Sequence, residues 1–396
     1  MHDQFYYRQP LLNGHGKVVA TRLCFDPLAL GHDLATVMPG LAITLDHLGD
    51  VWPDGEKTVF IALQGITVEA GLLTWVGRDN AAIEVGSTAF AGDTGQALVA
   101  ALQGRRTALC LHYDDQVGTA FDSGVYFRFL GFDVDAFSPA QIGHHVTRTA
   151  SLGIPVAFGV TTAAEFKTCI DAGVSAAAGW FFMQPTQTPA KSINPSHAHI
   201  MQVLNLVRHN ANVAEVESAL KQDVALSYKL LRYINSAGFG LSCEIQSFRH
   251  AVTILGYDKL NRWLSLLLAT ASKDPLAPAL LHTALVRARL MELLGHGLVD
   301  PSEYDNLFIT GAFSLLDVML GVGMEKVLEA MHLPETISDA LLGHGGIYAP
   351  FLELARAVER PEVREIARQA GQLGLGAMQV NRAQLEAIAF ADRMEF

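Results

Sequence analysis

Up to about residue 185, short runs rich in apolar and β-branched residues alternate with longer stretches of helical spacing. Residues 59–63, 108–113, 125–130 and 155–160 are the clearest strands, and residues 139–151 and 162–172 read as helices between them. Helices of that length serve as right-handed crossovers between parallel neighbours, so the rhythm predicts an α/β fold, as a closed barrel or an open sheet. Residues 184–196, QPTQTPAKSINPS, set three prolines among small polar residues, which blocks both helix and strand pairing. Beyond them the strand signal disappears. Asn212 and Glu215 have the spacing of a capping box, and Val213, Val216, Leu220, Leu226, Leu230, Leu231 and Ile234 recur at helical intervals. Gly238 and Gly240 supply the positive φ of a sharp helix exit. Helical spacing returns after residue 361 at Ile366, Ala370, Leu373 and Leu375, despite Gly371, Gly374 and Gly376. The pattern predicts an α/β domain at 1–185, a linker at 186–196, and an all-helical domain with a C-terminal extension at 197–396.

Half of the 396 residues are hydrophobic, enough for two buried cores. The formal net charge of -12, from 28 basic and 40 acidic side chains, repels a phosphate backbone on average, and no basic stripe offsets it. Nucleic acid is therefore not an expected partner. The four cysteines, Cys24, Cys110, Cys169 and Cys243, are too scattered for zinc spacing and too few for a disulfide framework, which fits a reducing cytosol. The first ten residues lack a signal-peptide layout, and the most apolar run, near residues 263–271, is too short for a bilayer. A soluble, cytoplasmic protein with no membrane contact is expected.

Three segments of the first half resemble EAL domains, the TIM-like barrel phosphodiesterases that cleave cyclic di-guanylate with two divalent cations. YRQPLLNGHGKVVATRLCF is similar to their opening strand, IPVAFGVTTAAEFKTCIDAG to the penultimate strand and helix, and AGWFFMQP to the closing segment. In the second half, DVALSYKLLRYINSAGFGLSCEIQSFRHAVTILG resembles the HDOD pattern, and ITGAFSLLDVMLG its downstream helix. The pairing resembles bacterial EAL-HDOD (YuxH-like) signalling proteins. It implies a multidomain chain: an N-terminal EAL-type α/β barrel and a C-terminal all-α HDOD domain.

Two-metal hydrolysis needs several carboxylates and an amide in one cavity. The resemblance sets Arg22 where the family has its name-giving glutamate, Ala62 in place of an asparagine, and Arg128 and Leu130 in place of a lysine and an acid. Phe158 and Thr161 stand for two further glutamates. Asp114 and Asp115 resemble the family's adjacent aspartates but come two residues late, and a gapless alignment gives His112 and Tyr113 instead. No catalytic residue, metal site or cofactor is expected from this set. Gln9 matches a nucleotide-contacting glutamine, whereas Asp26 replaces a contacting arginine. Arg22 and Arg128 are expected at the barrel mouth, either meeting an anion or pairing with Asp26 or with Asp114 and Asp115. The expected vestigial groove thus comprises Gln9, Arg22, Asp114, Asp115 and Arg128.

HDOD domains resemble HD phosphohydrolases that have lost their His-Asp pair, whose place falls near Ser314 and Leu315. Asn235 and Ser236 are candidate partner contacts, or a helix cap. Trp180, Phe181, Phe182 and Met183 read as core, and Gly343 to Gly346 around His344 as a helix break. The expectation is a non-enzymatic adaptor in signal transduction that engages signalling proteins, with homo-oligomerisation as an option. A cyclic di-guanylate effector and a weak phosphodiesterase are the alternatives. Cutting within residues 186–196 is expected to release two separately folded pieces.

Overall fold

The computed structural model describes residues 4–31, 34–65, 67–75, 77–103, 107–184, 195–222, 256–257, 260–261, 264, 275–331 and 333–394. The chain divides into two compact units, Met1–Phe182 with Arg356–Leu385, and Met183–Ala355 with Glu386–Phe396.

The first unit is built on a closed eight-stranded barrel in sequence order. Its strands are β1 (Tyr6–Asn13), β2 (Val18–Phe25), β3 (Thr58–Leu63), β4 (Ala81–Val85), β5 (Ala108–His112), β6 (Phe129–Asp133), β7 (Ile154–Phe158) and β8 (Ala176–Ala178). Strands β2 to β8 run parallel, and β1 is antiparallel to both its neighbours. Because side chains alternate along a strand, every second residue fills the barrel: Leu11, Ala20, Phe60, Ala82, Cys110, Phe129, Val156, Phe158, Ala176 and Ala178 form one buried cluster. The Phe60 ring lies 4.9 Å from that of Phe129 and 6.3 Å from that of Phe158. Gly131 makes room for this packing, since a Cβ there would stand 2.4 Å from Phe158 Cε2.

The crossovers start where the sequence signals them. Helix α1 (Pro139–Thr149) opens on a capping box between Ser138 and Gln141, and α2 (Ala163–Asp171) on one between Thr162 and Glu165. Three expected strands coincide with β3, β5 and β7, but the fourth is displaced from 125–130 to Phe129–Asp133. Gly124 turns with φ +71°, and Tyr126 is 77% exposed, so the chain enters the barrel only at Phe129.

The C-terminal part also departs from the expected boundaries. Residues Arg356–Leu385 group with the barrel and not with the helical half. Their partners include β1 and the residue Gln4 before it, Ala29, and the segment around Asp50. Arg8 pairs with Glu359 at 2.7 Å, both side chains being 3% exposed, and the Arg8 backbone N–H donates to Val358 O at 2.8 Å. Tyr6 Oη donates to Asn381 O, Asn381 Nδ2 donates to Gln4 O, and Arg382 grips both carboxylate oxygens of Asp50. Two separately folded pieces therefore do not follow from a cut at 186–196, because the first would leave part of its own unit behind.

In the second unit, all the described elements are helices and turns. Helix α3 (Pro195–Arg208) starts inside the expected linker, whose residues 186–194 lie outside the described residues. Helix α4 (Val213–Lys221) is capped by Asn212, whose Oδ1 accepts from the Ala214 N–H. The helix Ala277–Gly295 is buried along most of its length and packs on the helix Tyr304–Phe313. The approach is at backbone range: a Cβ on Gly311 would stand 2.6 Å from Ala288 Cα. Gly343, Gly345 and Gly346 all have positive φ, which ends the helix Glu335–Leu342 as the sequence implies.

Candidate functional site

The carboxyl ends of parallel barrel strands form the mouth in which barrel proteins place their chemistry. Four polar side chains from four strands meet there. Arg22 on β2 donates from Nε and Nη2 to the two oxygens of Glu84 on β4, each at 2.7 Å, and from Nη1 to Gln9 Oε1 on β1 at 3.1 Å. His112, the last residue of β5, shares its Nε2 with Glu84 Oε2 at 2.8 Å. The Phe158 ring lies beneath, with the Arg22 guanidinium 4.3 Å from its centroid and the His112 ring 5.2 Å away.

Glu84 is 4% exposed, and burial alone would raise its pKa. The charge of Arg22 and the hydrogen bonds from His112 and Arg22 outweigh that cost and hold it down to about 2, from an ordinary 4.5. Burial likewise opposes the charge on Arg22, and Glu84 overcomes it, so the guanidinium stays protonated. A carboxyl whose folded pKa is depressed stabilises the fold above its unfolded value and loses that contribution as the pH falls. Between pH 4.5 and 2, Glu84 should withdraw about 3 kcal/mol from the barrel unit. Urea unfolding followed across that window should show the loss in wild type and a reduced loss in Glu84→Gln.

Several expectations about this region are corrected. Arg22 pairs with Glu84, not with Asp26, Asp114 or Asp115. Asp26 caps a turn through the Ala29 N–H. Asp114 lies beyond β5, accepting from Ser87 Oγ at 2.6 Å and from the Gln116 N–H at 2.7 Å, while Asp115 is exposed. Arg128 precedes β6 and so stands at the opposite end of the barrel from the mouth. It is exposed, lies 5.3 Å from the Phe129 ring centroid, and lines a cleft of about 430 Å³ with Tyr126, Gln103 and Thr107. Glu84 was absent from the expected groove; its signal is a lone carboxylate inside the apolar run AAIEV.

The mouth can be tested against the two divalent cations of EAL chemistry. Such a pair needs several oxygen ligands that no cation already occupies. Here both oxygens of Glu84 are held by Arg22, with His112 also bonded to Oε2, and Phe158 fills the centre. Among the described residues, no group of three or more His, Cys, Asp or Glu is arranged to hold a metal ion. These residues do not fit a cation pair. What they offer is the half-buried His112 imidazole, hydrogen bonding from the Gln9 amide, and the Asp114 carboxylate nearby in sequence.

In the helical unit, Ser314 is buried, accepting from Arg287 Nη1 at 2.9 Å and donating to Gly311 O at 2.7 Å, and Leu315 is buried beside it. The candidate contacts Asn235 and Ser236 lie outside the described residues. Phe181 and Phe182 are core as expected, though in a turn after β8 and not in the strand.

Residues 192–289 match the HDOD domain family. The chain is 30% identical over 229 residues to "Cyclic di-GMP phosphodiesterase CdgJ" of Vibrio cholerae, covering 58% of this chain and 53% of that protein. It is 29% identical over 207 residues to YuxH of Bacillus subtilis, covering half of each. Among solved structures, the barrel is similar to Klebsiella pneumoniae BlrP1 in its manganese and cyclic di-GMP complex, at 15% identity and a TM-score of 0.37, over 46% of this chain and 57% of that one. It is also similar to the FimX EAL domain from Pseudomonas aeruginosa bound to cyclic di-GMP, at 12% identity and a TM-score of 0.35, over 47% of this chain and 92% of that one. The chain thus contains a closed eight-stranded barrel and a separate region that matches the HDOD domain family. The chain spans about half the length of the curated relatives it matches. Its similarity to a phosphodiesterase overturns the expectation of a protein that catalyses nothing. Among its described residues, no helix is long and apolar enough to cross a membrane.

Proposed function

We propose that this EAL-HDOD protein acts in cyclic di-guanylate signalling and cleaves that messenger slowly at the barrel mouth. The observation that carries this reading is the 30% identity over 229 residues to the Vibrio cholerae cyclic di-GMP phosphodiesterase. The slow rate follows from the donor set, since Arg22 and Glu84 neutralise each other and leave His112 as the acid-base group at the mouth. Signalling proteins as partners of the helical HDOD half belong to the same proposal. The test is incubation of the full chain with cyclic di-guanylate, with chromatography of the products. Linear dinucleotide should accumulate in wild type and fall in His112→Ala. Saturable binding with no product would favour a messenger-binding effector, and neither binding nor product would remove the reading.

A further inference from the structure

Strand β1 is incompletely covered by its barrel neighbours. On the β8 side, only Leu11, Leu12 and Asn13 have strand partners, because β8 is three residues long. The half of β1 from Tyr6 to Arg8 therefore presents backbone groups that must find partners elsewhere. Residues 356–385 supply them: Val358 O accepts the Arg8 N–H, and Gln384 Nε2 donates to Tyr6 O at 3.3 Å. Glu359 adds a buried ion pair to the Arg8 side chain.

Arg8 and Gln9 are consecutive, and consecutive side chains of a strand point to opposite faces. Arg8 meets Glu359 on one face. On the other, Gln9 meets Arg22, which holds Glu84, which holds His112. A displacement of β1 at Arg8 is thus passed within one residue to the mouth. We propose that Glu359 is a positioning residue for the mouth, and that the segment carrying it sets β1 so that Gln9 and Arg22 keep Glu84 and His112 in their observed arrangement. The inference rests on the proposed function only where messenger cleavage is the readout.

The experiment uses the full chain and the Arg22 Nε–H resonance, assigned by its disappearance in Arg22→Lys. Buried and bonded to Glu84, that proton should exchange slowly with solvent. In Glu359→Gln, which keeps the side-chain shape, its exchange should accelerate by about tenfold, and the His112 ring signals should shift. Gln384→Ala releases a second contact of the same segment, to Tyr6 O of β1, and should give a smaller change in the same direction. Arg368→Ala, on the same segment but exposed and paired with Glu365, should change neither. Where wild type cleaves cyclic di-guanylate, Glu359→Gln should lower kcat more than it raises KM. If wild type shows no cleavage but the exchange responds as stated, the positioning role stands and the proposed function falls. Exchange within about twofold of wild type in a folded Glu359→Gln overturns the positioning role. So does the same result in Gln384→Ala, should Glu359→Gln fail to fold.

Discussion

Glu84→Ala is expected to destabilise the barrel unit by about 3–5 kcal/mol, because it strands the Arg22 guanidinium inside the barrel with its charge uncompensated. Arg22 is 8% exposed, and it places two of its donors on Glu84. The Gln9 amide oxygen alone cannot replace a carboxylate that accepts both. A domain's whole stability is about 5–15 kcal/mol, so this single change should bring the unit near its folding threshold. The double variant Arg22→Met/Glu84→Leu should recover most of the loss, since apolar residues of similar volume remove the desolvation cost together with the pair. Chemical denaturation of the two variants beside wild type provides the check. Equal stability of wild type and Glu84→Ala would mean that the pair is solvated in solution.

Ending the chain after Ala355 is expected to abolish cooperative folding of the barrel, although every strand precedes that point by more than a hundred residues. The truncation removes the Glu359 carboxylate from buried Arg8, the carbonyl that accepts the Arg8 N–H, and the Asn381 and Gln384 contacts to Gln4 and Tyr6. Breaking one buried ion pair from one side costs about 3–5 kcal/mol. Each buried backbone group left without a partner adds about 1–3 kcal/mol. Together these approach the total stability of a domain. Loss of the near-ultraviolet circular dichroism of the barrel aromatics is the expected readout, and a truncated chain that retains it would show that Arg356–Leu385 is accessory.

The division into an α/β half and a helical half was legible because period-2 and period-3.6 patterns are local properties of the chain. Val213, Val216 and Leu220 illustrate this, since their helical spacing alone marks the helix Val213–Lys221 that the structure shows. The attachment of residues 356–385 to the barrel was not legible. Arg8 and Glu359 are 351 positions apart, and nothing about a single arginine or a single glutamate marks it for burial. The resemblance shows Arg22 in the place of a metal ligand, but its partner Glu84 lies on β4, far along the chain from it. Only the closed barrel shows that Glu84 and Arg22, 62 positions apart, project into one interior. The position of Arg128 depends on where its strand begins: a start at 125 sets it near the mouth, whereas the start at Phe129 sets it at the other end of a five-residue strand.

The most direct measurement is the rate at which the purified 396-residue chain converts cyclic di-guanylate to linear product, compared with His112→Ala and Gln9→Ala. The account predicts slow turnover in wild type that falls in both variants while their thermal unfolding stays cooperative. Absence of product and of saturable messenger binding in the wild-type chain would contradict it.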